Sequence, residues 1–191
     1  MSGEDGTFEI RALAPSDAVH KFEIAHIDDA HRAFLKKLAG KFCDSNISKT
    51  YVAVEGTDQG PRIRSYVNIL LSEIRKGWAA TDDCPEAQRF NYPAVKIGRL
   101  ATDRRYEGRG LGSSLIEFVA GLAVGKVMPH VGCRFLILDA NRPKIEYYER
   151  RGFILVKNDE NLAATNQNPV MFMDLHKIAM SAPEPQAGVQ D

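Results

Sequence analysis

Three glycines at alternate positions, Gly108, Gly110 and Gly112, stand between a strand-like run ending at Thr102 and a helix-like run that begins at once. Glycine lacks a Cβ and accepts positive φ, so the main chain can wrap closely around an anion there. The first turn of a helix leaves amide donors unpaired and carries partial positive charge. Together these features make a cradle for a phosphate or diphosphate. Arg104, Arg105 and Arg109 add positive charge at the same mouth. Two better-known phosphate loops do not fit. A dinucleotide fingerprint needs its third glycine three residues past the second, whereas Gly112 follows Gly110 by two. A Gly-Lys-Ser/Thr ending is also missing, because Gly112 is followed by Ser113 and Ser114. A tight strand-to-helix turn without a ligand is the remaining alternative.

Apolar periodicity supplies the frame for this loop. Residues 8–13 alternate apolar and polar and predict a first strand. Ile27, Ala30, Phe34, Leu38 and Phe42 share a helical face, which predicts one amphipathic helix over 27–42. Residues 50–54 and 64–71 read as a hairpin around a Gly- and Asp-rich turn. The stretch 77–92 has no clean period and reads as a surface connection with room for a short helical turn. A strand over 93–102 and a helix over 110–126 then flank the glycine loop, and 134–138 is apolar enough to be a strand buried on both faces. Gly152 should stop a helix over 143–151, and strands 153–157 and 170–175 close the sheet as an antiparallel pair. The order predicts a mixed α/β (α+β) domain: one central mixed sheet flanked by helices, with a right-handed parallel βαβ unit around the loop. The domain is expected over 7–178, between a flexible N-terminus at 1–6 and a disordered tail at 179–191.

Composition narrows the class. The 191 residues include 25 Lys and Arg against 25 Asp and Glu, so net charge does not favour nucleic acid, although a local basic face is compatible with it. An apolar share of 44% supports a sizeable core. Cys43, Cys84 and Cys133 have neither disulfide-like nor metal-like spacing and read as reduced thiols of a cytoplasmic protein. No stretch has the basic-then-apolar order of a signal peptide or the ~18 apolar residues of a membrane span. No metal site is expected. His20, His26 and His31 lack the spacing to share one helix face.

Arg105-x-x-Gly108-x-Gly110 matches the (Q/R)-x-x-G-x-(G/A) signature of the GNAT superfamily of acetyltransferases. Asp139-Ala140-Asn141 followed by Tyr147-Tyr148-Glu149-Arg150-Arg151-Gly152-Phe153 resembles that family's second conserved segment. The resemblance implies acetyl-CoA as co-substrate. It implies that Leu100, Ala101 and Thr102 pair through their backbone with the pantetheine arm. It implies that Arg104, Arg105, Arg109 and the amides of Gly108, Gly110, Leu111, Gly112 and Ser113 hold the pyrophosphate. Asn141 matches the asparagine that orients CoA, and Tyr148 the tyrosine facing the thioester sulfur.

The implied reaction is direct attack of an amine on the thioester, with Tyr148 as general acid. The strand 94–102 carries no carboxylate to act as base; Glu73, at the end of the third strand, could serve through water, but reads better as a solvated surface glutamate. Deprotonating a lysine amine at neutral pH costs about 4–5 kcal/mol, an α-amino group only about 1 kcal/mol, so the missing base favours a low-pKa amine. A small-molecule or peptide amine is the leading expectation for the acceptor. A second reading comes from residues 28–35 and 48–54 and from Arg99-Leu100-Ala101-Thr102-Asp103, which resemble GNAT toxins that acetylate aminoacyl-tRNA. That branch implies tRNA and a small antitoxin as partners, and Arg62, Arg64, Arg75, Lys76, Arg89, Arg99 and Arg104 as an RNA-facing set. Residues 22–26 depart from its pattern. A homodimer is a further candidate assembly, and a non-catalytic CoA-binding module is the third reading.

Overall fold

The computed structural model describes residues 7–24, 29–79, 81 and 83–181. Seven strands form one sheet in the order β1-β2-β3-β4-β5-β7-β6. They are β1 (Phe8–Ala12), β2 (Lys49–Glu55), β3 (Arg62–Ile74), β4 (Tyr92–Thr102), β5 (Phe135–Asp139), β6 (Ile154–Leu155) and β7 (Val170–Asp174). Every adjacent pair is antiparallel except β4 and β5. The hairpin between β2 and β3 turns at Gly60, whose φ of 89° suits glycine, and the Thr57 hydroxyl donates to the Gly60 carbonyl at 2.6 Å.

Helices cover both faces. On one face α3 (Leu111–Leu122) buries Leu115, Ile116 and Val119 against Val67, Val95, Ile97, Leu136 and Leu138. On the other, α1 (Asp29–Lys37) and α2 (Ala39–Asp44) lie with Phe22, Val52, Val54 and Tyr66. Residues Phe135 to Leu138 of β5 are all buried, as their unbroken apolar run predicts for a strand covered twice. The parallel β4–α3–β5 unit is therefore the spine of the molecule.

Three expectations need correction. The single helix over 27–42 is two helices: Leu38, at φ −121°, leaves helical geometry between α1 and α2. The break lets Ala39 bury fully and sets Phe42 edge-on to Phe34, with ring centroids 5.6 Å apart. The helix over 110–126 ends at Leu122 and continues as one wider turn over Ala123–Val127. Residues 175–181 form a helix, α6 (Leu175–Ser181), where a strand end and the start of a tail were expected. Asp174 caps it, its carboxylate accepting the amides of His176 and Lys177 at 3.0 and 3.3 Å. A short α5 (Asp159–Leu162), capped by Asn158, lies between β6 and β7. The expected termini at 1–6 and 182–191 lie outside the described residues, as do His26 and Asp28. Among the described residues no helix is long and apolar enough to cross a membrane.

Candidate active site

The parallel pairing of β4 and β5 stops at Ile97–Leu138, while β4 runs on to Thr102 paired only with β3. The two strands separate there and open a cleft of about 630 Å³. One wall is the free edge of β4 from Ile97 to Thr102 together with Glu107, Gly108, Gly110, Gly112 and Ser113. The facing wall is Leu138, Asp139 and Asn141 at the end of β5, with Lys144, Tyr147, Tyr148 and Arg151 on or beside α4 (Ile145–Glu149). Ile24, His31 and Asn168 complete the lining.

The first wall is made mostly of main chain. Gly98 is the extra residue of a bulge, since Arg99 pairs with Asn68 and Ile97 with Ile69. A Cβ at Gly98 would stand 3.0 Å from Leu70 Cδ2 and 3.2 Å from Asn68 Oδ1, so the crowded bulge favours glycine. Asn68 is itself buried and fixed, its amide donating to the hydroxyls of Ser48 and Thr50 at 2.8 and 3.1 Å. Beyond the bulge the β5-side edge of 98–102 has no strand partner and can accept an extended ligand as an added strand. Gly108 and Gly110 have φ of 77° and 83°, the left-handed region that side chains disfavour. Among the described residues the amides of Gly108, Gly110, Leu111 and Gly112 have no acceptor. The Ser113 amide already donates to the Gly110 carbonyl at 2.9 Å. A row of free donors at the start of α3 suits a diphosphate.

The second wall is made of side chains. Gly152, at φ 85°, ends the turn after α4 and lets Phe153 pack back. Tyr148 is held edge-on between Tyr147 and Phe153, with centroids 5.1 and 5.8 Å away. The Tyr147 hydroxyl reaches α3 so closely that a Cβ on Gly112 would stand 2.6 Å from it. Gly112 is therefore glycine to admit Tyr147, and its φ is not positive. Arg151 stacks on the Tyr147 ring at 3.5 Å and donates to the Ser113 hydroxyl from Nε and Nη2 at 2.8 and 2.5 Å.

Residues 59–153 match the family model described as "Acetyltransferase (GNAT) family". The chain belongs to the GNAT acetyltransferases. It is an acetyl-CoA-dependent N-acetyltransferase, and the free strand edge, the amide row and the tyrosine of the cleft fit that donor. A GNAT-like fold also appears in solved structures. A tyrosine-to-phenylalanine mutant of KacT superposes with a TM-score of 0.77 at 25% identity, covering 91% of this chain and 98% of that one. AtaT complexed with acetyl-methionyl-tRNAfMet gives 0.76 at 20% identity over 91% and 98%. A mutant AtaT toxin bound to the C-terminus of the antitoxin AtaR and acetyl-CoA gives 0.70 at 21% over 91% and 96%. For the AtaT structures the likeness is one of fold.

Within this GNAT fold the cleft brings together Leu100, Ala101, Thr102, Gly108, Gly110, Gly112, Ser113, Asn141 and Tyr148. The side chains of the loop arginines Arg104, Arg105 and Arg109 lie outside its lining. Arg105 turns back onto Asp103, donating from Nε and Nη2 at 2.9 and 2.8 Å, and lines a different groove. Arg104 pairs with Glu23 at 2.9 Å, and Arg109 stacks on Tyr106 at 4.8 Å. The Leu111 side chain is buried and does not line the cleft, which leaves only its amide for a ligand. The reason is Asp103, a buried carboxylate one residue past β4 that draws in the nearest cation and the amides of Arg105 and Glu23. Burial alone would push its carboxyl up, but Arg105 and those amides outweigh this and hold it below the usual carboxylate range.

Glu73 sits exposed on the far end of β3, accepts from Asn91 at 2.7 Å and does not line the cleft, in keeping with a solvated surface glutamate. The carboxylates that do are Asp139, paired with Lys96 at 2.7 Å, and Glu107 beside the glycines. No cysteine lines the cleft, and burial pushes the Cys133 thiol up. Among the described residues no group of three His, Cys, Asp or Glu could hold a metal. Of the arginines expected to face RNA only Arg99 lines the cleft, stacked on Phe34 at 4.2 Å. Arg64 is held by Glu55 at 2.7 Å and Arg75 by Glu160 at 3.3 Å. Arg151 was the functional candidate the sequence reading missed. Its signal was the four-residue spacing from Tyr147, which puts both on one helical face.

Proposed function

We propose that this GNAT enzyme acetylates the α-amino group of aminoacyl-tRNA and is held in check by an antitoxin. The observation that carries the proposal is that, among the described residues, the carboxylates lining the cleft are Asp139, held by Lys96, and Glu107, beside the glycines of the loop. An acceptor amine of low pKa is therefore favoured, since deprotonation at neutral pH costs about 1 kcal/mol for an α-amine and about 4–5 kcal/mol for lysine. The acetyl-methionyl-tRNA and antitoxin bound to AtaT support the same assignment.

The chemistry follows from the two walls. The main-chain edge at Leu100, Ala101 and Thr102 holds the pantetheine arm, and the amides of Gly108, Gly110, Leu111 and Gly112 hold the diphosphate. A backbone amide of the same edge stabilises the oxyanion that forms when the amine lone pair adds to the thioester carbonyl. Tyr148 gives its proton to the departing sulfur, and the nitrogen releases its own to solvent. Asn141 orients the donor from the β5 side. The cytoplasm, where acetyl-CoA and charged tRNA coexist, is the fitting compartment.

The test is transfer of labelled acetyl from acetyl-CoA to total aminoacylated tRNA. Label should appear on the amino acid and leave with it on mild alkaline deacylation, and induction of the gene should arrest growth unless the antitoxin is present. A small-molecule acceptor remains the second reading, favoured by the balanced charge of the chain. Thiol release with an amine panel, together with unlabelled tRNA, would establish that reading instead.

A further inference from the structure

We infer that Arg151, and not the arginines of the glycine loop, supplies the cation that holds the diphosphate of the acyl donor. The inference rests on the acetyl-CoA reading above. Free amides fix where a diphosphate sits, but a guanidinium adds charge-assisted, bidentate hydrogen bonds that neutral amides do not match. Of the arginines near the start of α3, two are closed onto carboxylates, Arg105 onto buried Asp103 and Arg104 onto Glu23. Arg109 stacks on the Tyr106 ring and does not line the cleft.

Arg151 differs in its place and in lacking a carboxylate partner among the described residues. It lines the same cleft as Gly110, Gly112 and Ser113. Its bonds to the Ser113 hydroxyl and its Nη1 bond to the Tyr147 carbonyl at 2.6 Å use three N–H groups. A guanidinium carries about five, so two donors remain without an acceptor among the described residues. No carboxylate pairs with it, so its full charge is available. The Tyr147 ring, stacked at 3.5 Å, fixes the plane of the guanidinium before any ligand arrives. The same ring packs edge-on against Tyr148 independently of the guanidinium on its face.

Calorimetry and steady-state kinetics test this with Arg151→Gln, Arg151→Lys and Arg105→Gln. Arg151→Gln should raise the KM for acetyl-CoA about tenfold and weaken CoA binding equally, with kcat unchanged. The lysine variant, which keeps the charge but loses the fork, should recover part of that loss. S-acetylpantetheine, which has no phosphate, should show the same KM in wild type and Arg151→Gln. 3′-Dephospho-CoA, which keeps the diphosphate, should show the full loss. Arg105→Gln should lower the melting temperature yet leave the KM for acetyl-CoA unchanged. The proposal is overturned if Arg151→Gln leaves CoA affinity intact, if it affects acetylpantetheine equally, or if its effect vanishes with dephospho-CoA. A wild-type chain that binds no CoA overturns the donor reading itself, which separates the two failures.

Discussion

The two walls of the cleft are built from opposite materials. From Gly98 to Gly112 the wall is backbone: a bulge, a free strand edge and two positive-φ glycines, with charged side chains directed into internal pairs. Across the cleft, at Tyr147, Tyr148 and Arg151, the wall is side chain. The arginine-rich loop looks in sequence like the chemical half of the site. In the folded chain it is the shape-giving half. The lesson is that a cation beside a glycine loop is a candidate ligand only after its nearest buried carboxylate has been located. Substitutions on the loop should therefore act through stability and shape, and substitutions on the α4 side through turnover and donor affinity.

The largest expected effect lies on the α4 side. Tyr148→Phe keeps the ring packed against Tyr147 and Phe153 and removes only the hydroxyl. Loss of a general acid should lower kcat by about 10²-fold or more, with CoA affinity and melting temperature unchanged. A matching loss of CoA affinity would blur the division between the walls, because it would make Tyr148 a binding residue.

Much of this frame was legible in the chain. The apolar run at 135–138, the alternation through 94–100 and the glycine spacing gave the βαβ unit and the amide cradle, because local periodicity and backbone freedom are local properties. Tyr148 was legible from its segment with Gly152 and Phe153. The direction of each arginine was not. Arg105 is fixed by a carboxylate whose depth depends on contacts with residue 23, 80 positions away. The break at Leu38 was hidden for a similar reason: the apolar spacing of 30, 34, 38 and 42 continues through it, and only packing of Phe34 on Phe42 requires it. The cap at Asp174 was readable, and reading 170–175 as a strand to its last residue concealed it.

The second effect tests the loop wall. Asp103→Asn removes the charge that gathers Arg105 and the amides of Arg105 and Glu23, and should cost about 2 kcal/mol, seen as a lower melting temperature. Because Asp103 is held below its ordinary value when folded, its contribution is complete above the unfolded carboxyl value near 3.9. That contribution is lost as pH falls through the lower folded value. The gap in melting temperature between wild type and Asp103→Asn should thus be constant from neutral pH to about pH 5 and narrow in more acid solution. A gap that widens on acidification would mean that the carboxyl is instead protonated more readily in the folded chain, and the loop wall would need another anchor.

The smallest effect sits where the walls touch. In Gly112→Ala the new methyl would stand 2.6 Å from the Tyr147 hydroxyl, closer than any real contact of a Cβ. The Tyr147 ring must tilt, and with it the guanidinium stacked on its face and bonded to Ser113. Overpacking at one methyl should cost about 1 kcal/mol of stability and raise the KM for acetyl-CoA a few-fold through Arg151. Removing the obstructing hydroxyl as well, in Gly112→Ala with Tyr147→Phe, should restore most of both losses, so the two substitutions should be strongly non-additive. Additive losses would mean that the start of α3 gives way in place of the ring. The backbone wall would then be the softer of the two, and the donor affinity of Gly112→Ala would report on displaced amides and not on Arg151.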